Sequence, residues 1–218
     1  MPQEQLPARP LFVRGLNWLG DAVMSLPALN ALVNSGQTLK VLTRIGSASL
    51  YRNVSGVSEV LVEQKSFMGR LKTCLTLTQE RFSGALVLPN SFSSALTAFL
   101  GLIPSRVGYA RNVRSPLLSK AVPVRRRDLA VHQSFYFLRL VEAMGLAAPF
   151  TRPQINPPQT PFPIALPSGF RLAIAPGAAY GGAKRWPAEK FAEAARLILA
   201  NHPGTAVILG GPSEIIAA

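Results

Sequence analysis

The chain has 218 residues and a net charge of +13, so we expect an anionic partner: nucleic acid, a phosphorylated metabolite or an anionic membrane surface. Hydrophobic residues make up 48% of the sequence, which excludes a disordered chain, and the single cysteine, Cys74, excludes an internal disulfide. The polar start lacks the apolar core of a signal peptide, and no apolar run approaches the roughly 18 residues of a membrane span, so a cytoplasmic protein is expected.

Short apolar segments alternate with helical patterns over the first two thirds of the chain. Strands are predicted at residues 11–14, 39–43, 59–62, 84–88 and 105–108, and helices at 21–35, 68–80, 91–101 and 129–145. This alternation indicates an α/β fold with a mostly parallel sheet. Pro27 predicts a kink or a delayed start in the first helix, and Asp128 is expected to cap the last one.

A proline-rich stretch then separates two predicted domains. The boundaries are 1–148 for an N-terminal Rossmann-like domain, 149–168 for a stiff linker, and 169–218 for a second domain. In the second domain, strands are predicted at 171–175 and 205–209, and a helix between them at 187–200. Two strands are too few for a complete sheet domain, so this half is expected to be cut short.

Asp21 is one of only two aspartates, and it lies where an apolar strand turns into a helix. In a parallel α/β sheet, that edge is where ligands bind. The carboxylate can be a helix N-cap, which the spacing alone favours. It can alternatively be a general base that accepts a proton while a hydroxyl attacks an electrophilic carbon.

Two glycine-containing loops follow the strands of the second domain. The first starts at Gly177 and contains Lys184, so close backbone approach, a helix N-terminus and an ammonium group would together bind a diphosphate without a metal. The composition of this first loop is equally typical of a flexible surface loop that binds nothing. The second loop holds Gly210, Gly211 and Glu214, and it indicates either a nucleotide contact, with the acid on ribose hydroxyls, or a plain turn. The first loop lacks the spacing of a P-loop.

No acid occurs between residues 81 and 127, where the basic residues form either a solvated face or a binding face. These are Arg106, Arg111, Arg114, Lys120, Arg125, Arg126 and Arg127. His132 and His202 have no partner at metal-ligand spacing, so no metal site is predicted.

Three segments carry a resemblance to a known family: NWLGDAVMSLPALNAL, LPNSFSSALTAFLGLIPSRVGY and PGAAYGGAKRWP. In this order they resemble the ADP-heptose:lipopolysaccharide heptosyltransferases of glycosyltransferase family 9, and the type II members most. The resemblance implies a GT-B fold and an inverting, metal-independent transfer of heptose from ADP-heptose to the inner core of lipopolysaccharide. It implies no cofactor, an anionic Kdo-lipid A-type acceptor, and a monomer in peripheral contact with the inner membrane.

The resemblance also implies roles for individual residues. Asp21 matches the catalytic base, and Lys184 matches the lysine that neutralises the donor phosphates. Tyr180 falls at a neighbouring phosphate contact, and Glu214 matches a ribose-binding acid. The implied acceptor contacts are Asn17 and Arg111.

Family members continue beyond the matched region through a DSGLMH-like motif that closes over the donor. The chain is therefore expected to be C-terminally truncated, and an inactive remnant stays open as an alternative. A basic nucleic-acid-binding protein is the second alternative, although the sequence has no helix-turn-helix, zinc or RNP-type pattern.

Overall fold

The computed structural model describes residues 9–64, 66–156, 165–177 and 185–211, with the side chain of Arg127 left out. The chain divides into two compact units, Met1–Pro158 and Gln159–Ala218. This division falls inside the proline-rich stretch 149–168. Residues 149–156 run along the first unit, where the N–H of Asn156 donates to the carbonyl of Asn53 at 2.6 Å.

A parallel six-stranded sheet forms the centre of the first unit. Its strands are β1 (Leu11–Arg14), β2 (Leu39–Thr43), β3 (Val57–Val62), β4 (Gly84–Val87), β5 (Arg106–Tyr109) and β6 (Lys120–Val122). They lie in the order β3-β2-β1-β4-β5-β6, all parallel to their neighbours. The order reverses between β1 and β4, so the loops that follow these two strands diverge and leave a crevice at the carboxyl edge of the sheet.

Helices cover both faces of this sheet. They are α1 (Leu19–Asn34), α2 (Ile45–Arg52), α3 (Phe67–Gln79), α4 (Phe92–Leu100), α5 (Arg126–Leu129) and α6 (Gln133–Ala143). One core cluster joins α1, α2 and α6 to the sheet through residues such as Leu29, Tyr51 and Phe137. A smaller cluster on the other face joins α3 and α4 through Leu77 and Ala98. Each face therefore has its own core.

The predicted α/β fold is confirmed, and all five predicted strands of this unit are present with ends within two residues. The helix α2 and the strand β6 were not predicted. The delayed start of the first helix is wrong, because α1 begins at Leu19 and continues through Pro27.

The predicted cap of α6 is also wrong. His132 is the N-cap, and its Nδ1 accepts the N–H of Ser134 at 3.3 Å. Asp128 instead lies within α5, where its carboxylate accepts the N–H of Arg125 at 2.6 Å and forms an ion pair with Arg139. The carboxylate therefore reaches back to the start of its own short helix, as the acid of a capping box does.

The second unit contains one crossover. Strands β7 (Phe170–Ile174) and β8 (Gly204–Ile208) pair in parallel, and α7 (Ala188–Asn201) connects them. Gly204 makes the close pairing possible, because a Cβ there would lie 2.1 Å from the carbonyl oxygen of Phe170. The predicted elements of this unit are present, each shifted by about one residue.

Candidate functional site

The crevice between β1 and β4 is where the sheet is open to ligands. Residues 15–18 lead from β1 into α1, and residues 88–91 lead from β4 into α4. The N-terminus of α4 is capped, since Ser91 Oγ accepts the N–H of Ser94 at 3.3 Å. At α1 the N-cap is Trp18, whose side chain makes no capping hydrogen bond. The first turn of α1 thus receives no side-chain cap from Trp18.

Asp21 lies in that first turn, half-buried. It is not the N-cap, so the interpretation that the spacing alone favours is wrong. Its carboxylate forms no hydrogen bond or ion pair with any residue that the structure describes. A negative charge at this position is stabilised by the helix dipole. No described residue therefore occupies the oxygens of this carboxylate.

The backbone before Asp21 is fixed by the neighbouring strand β2 and by α2. Gly15 N–H donates to the carbonyl of Leu42 at 2.9 Å, and Thr43 Oγ1 donates to the carbonyl of Leu16 at 2.8 Å. Leu16 N–H donates to Tyr51 Oη at 3.0 Å. The loop between β1 and α1 is consequently anchored at two successive residues.

A hydroxyl chain connects this loop to the turn that carries Asp21. Ser25 Oγ donates to the carbonyl of Ala22 at 2.7 Å and lies 3.2 Å from Tyr51 Oη. Because the serine proton is used, the tyrosine is the donor between them. Burial raises the pKa of Tyr51, and the charge of Asp21 raises it further, so the phenol stays protonated and keeps donating.

Gly15 leaves no room for a side chain at this corner. A Cβ there would lie 3.0 Å from both the Tyr51 ring and a Val41 methyl group. We expect Gly15→Ala to lower the free energy of unfolding by about 1–3 kcal/mol, since either neighbour must move. Gly20→Ala is the control, because a Cβ at Gly20 meets nothing within 4 Å. Urea denaturation measures both, and equal effects of the two substitutions would contradict the packing argument.

An ion pair lies beneath the same loop. Arg14 is buried at the end of β1, and its Nη2 lies 2.7 Å from Glu63 Oε2. Its Nη1 donates to the carbonyl of Leu42 at 2.8 Å. Burial lowers the pKa of Arg14, which the carboxylate of Glu63 counteracts. The pair joins the end of β1 to Glu63, the residue that directly follows β3.

Arg114 forms the opposite wall and is fully buried. Its Nε donates to the carbonyl of Tyr109 at 2.8 Å, and its Nη1 donates to the carbonyl of Pro89 and to Ser94 Oγ. Burial lowers the pKa of Arg114 to about 10, and no Asp or Glu in the described part of the chain forms an ion pair with it. One guanidinium thus joins the loops that follow β4 and β5.

Asn90 lies on the crevice side of this arrangement. Its Nδ2 donates to Tyr136 Oη at 3.1 Å, and its carbonyl accepts from Asn112 Nδ2 at 2.9 Å. Arg114 Nη2 lies 3.4 Å from its Oδ1. Asn90 lies in the loop after β4, at the same edge of the sheet as Asp21. Its position between a strand and a helix is a signal that the sequence analysis missed.

The predicted acceptor residues differ in their surroundings. Asn17 is half-buried in the same loop that leads to Asp21, and its Oδ1 is buried with no hydrogen-bond partner among the described residues. Arg111 is exposed in the loop after β5. Asn17 therefore lies on the same side of the crevice as Asp21, whereas Arg111 follows β5, which β4 separates from β1.

The predicted donor residues belong to the second unit. Gly177 follows β7, and Gly210 and Gly211 follow β8. The N–H of Leu209 donates to the carbonyl of Ile174 at 2.8 Å, so the carboxyl ends of the two strands are adjacent. Three further predicted residues lie outside the described residues: Tyr180, Lys184 and Glu214.

The basic residues between 81 and 127 do not form one face. Arg106 is half-buried, donates to the carbonyl of Leu117 at 2.8 Å and lies over the ring of Phe99. Arg114 is fully buried. The prediction of a common face is wrong for these two. Four others are exposed: Arg111, Lys120, Arg125 and Arg126.

Neither a metal cluster nor a membrane span occurs in the described ranges. No three His, Cys, Asp or Glu side chains there lie close enough to hold a metal ion. No helix there is long and apolar enough to cross a bilayer.

Comparison with known proteins identifies the family. Residues 70–215 match the model of glycosyltransferase family 9 (heptosyltransferase). Lipopolysaccharide heptosyltransferase 2 of Escherichia coli (strain K12) is 28% identical over 94% of this chain and 64% of its own length. Lipooligosaccharide heptosyltransferase 2 of Campylobacter jejuni (strain 81116) is 28% identical over 88% of this chain and 58% of its own length. The chain thus spans less than two thirds of these curated relatives.

Comparison with solved structures shows the same fold. The structure of E. coli ADP-heptose lps heptosyltransferase II has a TM-score of 0.77 at 24% identity, over 95% of this chain and 66% of that one. A glycosyl transferase of family 9 from Veillonella parvula has a TM-score of 0.76 at 16% identity, over 96% of this chain and 64% of that one. These similarities confirm the predicted GT-B type of fold. Because the family model matches more than half of the residues of this chain, the chain belongs to glycosyltransferase family 9, the heptosyltransferases.

Proposed function

We propose that the protein transfers heptose from ADP-heptose to the inner core of a lipopolysaccharide. The observation that carries this proposal is the half-buried Asp21 carboxylate, without a hydrogen bond or ion pair among the described residues, beside the crevice of a family 9 chain. The names of the relatives support the substrate class, since they are lipopolysaccharide and lipooligosaccharide heptosyltransferases. A related E. coli heptosyltransferase, WaaC, has been solved with ADP.

In the proposed reaction, a hydroxyl oxygen of the acceptor sugar attacks the anomeric carbon of the donor heptose. The hydroxyl proton passes to the Asp21 carboxylate as the new C–O bond forms. The bond from the anomeric carbon to the diphosphate oxygen breaks, and ADP leaves with the electron pair. Attack opposite the leaving group inverts the configuration at that carbon.

We assign the donor to the second unit. The backbone at Gly177, Gly210 and Gly211 would lie against the nucleotide, at the adjacent carboxyl ends of β7 and β8. Lys184 and Tyr180 would bind the diphosphate, so that the developing charge on ADP is neutralised without a metal or cofactor. We further assign the ribose hydroxyls to Glu214.

We assign the acceptor to the first unit. Asn17, in the loop that leads to Asp21, would contact the acceptor sugar, and exposed Arg111 would bind an acidic group of a Kdo-lipid A-type acceptor. Such an acceptor carries a lipid, so we propose that the protein acts as a cytoplasmic monomer in peripheral contact with the inner membrane. Nucleic acid has no part in this proposal.

Lys184→Gln tests the donor assignment. We expect it to weaken ADP binding by about 10–100-fold, because a contact between a charged group and a phosphate is worth roughly 1.5–3 kcal/mol. Titration calorimetry with ADP measures the effect. Lys190→Gln is the control, since Lys190 is exposed and pairs with Glu193 at 3.0 Å. Equal ADP affinity of the two variants would contradict the role of Lys184. Strong ADP binding without any turnover would instead favour the inactive remnant.

A further inference from the structure

The helix α3 presents apolar side chains to solvent. It contributes only two buried residues to the core, Cys74 and Leu77. Phe67, Leu71 and Leu75 are exposed, and their spacing of four residues places them on one side of the helix. Exposed Met68 adjoins them. We call these four residues the α3 stripe. Single exposed apolar residues are common on protein surfaces, but a contiguous stripe marks an interaction site.

Two cationic side chains lie on the same helix as the α3 stripe. Arg70 and Lys72 are exposed on the same helix, which contains no Asp or Glu. The nearest acid after the helix, Glu80, lies 2.6 Å from Lys40 Nζ and is therefore neutralised. The surface thus combines apolar side chains with cations and has no free carboxylate of its own.

The start of α3 lies at the functional edge of the sheet. The helix follows β3, and in a parallel sheet the carboxyl ends of all strands lie at one edge. Phe67 and Met68 are therefore at the same edge as Asp21. Phe92, the first residue of α4 and also exposed, is at this edge too. An apolar and cationic surface accordingly adjoins the proposed acceptor side.

We propose that α3 docks on an anionic lipid bilayer, with the α3 stripe at the boundary between headgroups and acyl chains and with Arg70 and Lys72 on lipid phosphates. An amphipathic helix with apolar side chains and flanking cations binds anionic membranes in this way. Charge disfavours the main alternative, a second copy of the chain. Two copies of a chain with a net charge of +13 would bring like-charged helices together.

This inference deepens the membrane contact proposed above, by assigning it to a surface. It is tested by lipid binding alone, so its failure is distinguishable from failure of the proposed transferase activity. Sedimentation with sucrose-loaded vesicles compares pure phosphatidylcholine with a mixture that contains about 30 mol% phosphatidylglycerol. We expect the protein to bind the mixed vesicles and not the neutral ones, and to be released by about 0.5 M NaCl.

Paired variants locate the surface. Phe67 and Leu71 are 80% and 43% exposed, and Leu102 and Leu100, at the opposite end of α4, are 77% and 46% exposed. We expect the double variant F67S/L71S to weaken binding to the mixed vesicles at least tenfold, and the matched control L100S/L102S to leave it unchanged. R70Q/K72Q should weaken it about 25-fold, roughly fivefold for each cation removed. Both serine variants should keep the urea midpoint of the parent protein, because the replaced side chains are exposed.

Three outcomes of the vesicle assay overturn the proposal: unchanged binding of F67S/L71S, equal loss in L100S/L102S, or no binding of the parent protein to the mixed vesicles. Sedimentation equilibrium without lipid gives the remaining comparison. A dimer that F67S/L71S dissociates assigns the α3 stripe to a second copy and also overturns the proposal.

Discussion

Replacing Asp21 by asparagine is expected to lower kcat for heptose transfer by roughly 10²–10⁴-fold, the usual contribution of a general base. The amide has the size of the carboxylate but cannot accept the hydroxyl proton. Since the carboxylate makes no hydrogen bond or ion pair with the described residues, the fold should be retained. The change in unfolding free energy should stay within the roughly 0.3–1 kcal/mol of a dipole contact.

The experiment measures two quantities on the full-length native protein: the rate at which ADP is released during heptose transfer, and the Kd for ADP. We expect the Kd to be unchanged, because the donor is assigned to the second unit. Glu59→Gln is the control, since that carboxylate is partly exposed on β3 and pairs with Lys40 at 2.9 Å. Turnover by Asp21→Asn at the rate of this control would show that another group accepts the proton.

Replacing Glu63 by alanine is expected to lower the free energy of unfolding by about 3–5 kcal/mol, because it leaves the Arg14 guanidinium buried and unpaired. The control is Glu59→Ala. The side chain of Glu63 is 12% exposed, whereas that of Glu59, within β3, is 44% exposed and shares Lys40 with Glu80. Glu59→Ala should therefore cost less than about 1 kcal/mol. Urea denaturation of the two variants gives the comparison.

The double variant R14M/E63L separates the charge from the packing. A buried ion pair replaced by apolar residues of similar volume is often neutral, so we expect most of the lost stability to return. If the double variant is as unstable as Glu63→Ala, the loss comes from packing and not from the unpaired cation.

Local patterns were sufficient for most of the fold. Runs of Val and Leu predict the five strands, and the central strands β1 and β4 are buried at every residue, as expected of a parallel sheet covered on both faces. The helix α2 was missed because its apolar residues are few and lie among Gly and Ser. The strand β6 was missed because Lys120–Val122 is too short to show a period. The prediction that Asp128 caps α6 was wrong because its carboxylate accepts the N–H of Arg125, at the start of the preceding helix α5.

Only those parts of the site that are close together in the sequence could be predicted. Asp21 stands out because strand, turn and helix follow each other directly in the sequence. The groups that hold its loop come from far along the chain: Tyr51 lies 35 residues after Leu16, and Glu63 lies 49 residues after Arg14. Spacing within one motif carries no information about such contacts. Nothing in the sequence distinguishes buried Arg114 from its exposed neighbours.

Arg114 has a consequence for the mechanics of the crevice. Its hydrogen-bond acceptors are carbonyls, a hydroxyl and an amide, so the desolvation of its charge is not offset by an ion pair within the described chain. A lysine cannot replace it, because three donors on one atom do not reproduce a planar fork that reaches two loops. Separating the segments after β4 and β5 would break these hydrogen bonds and leave a buried guanidinium without acceptors, which is costly. Arg114 therefore couples the movement of the two segments that form this wall of the crevice.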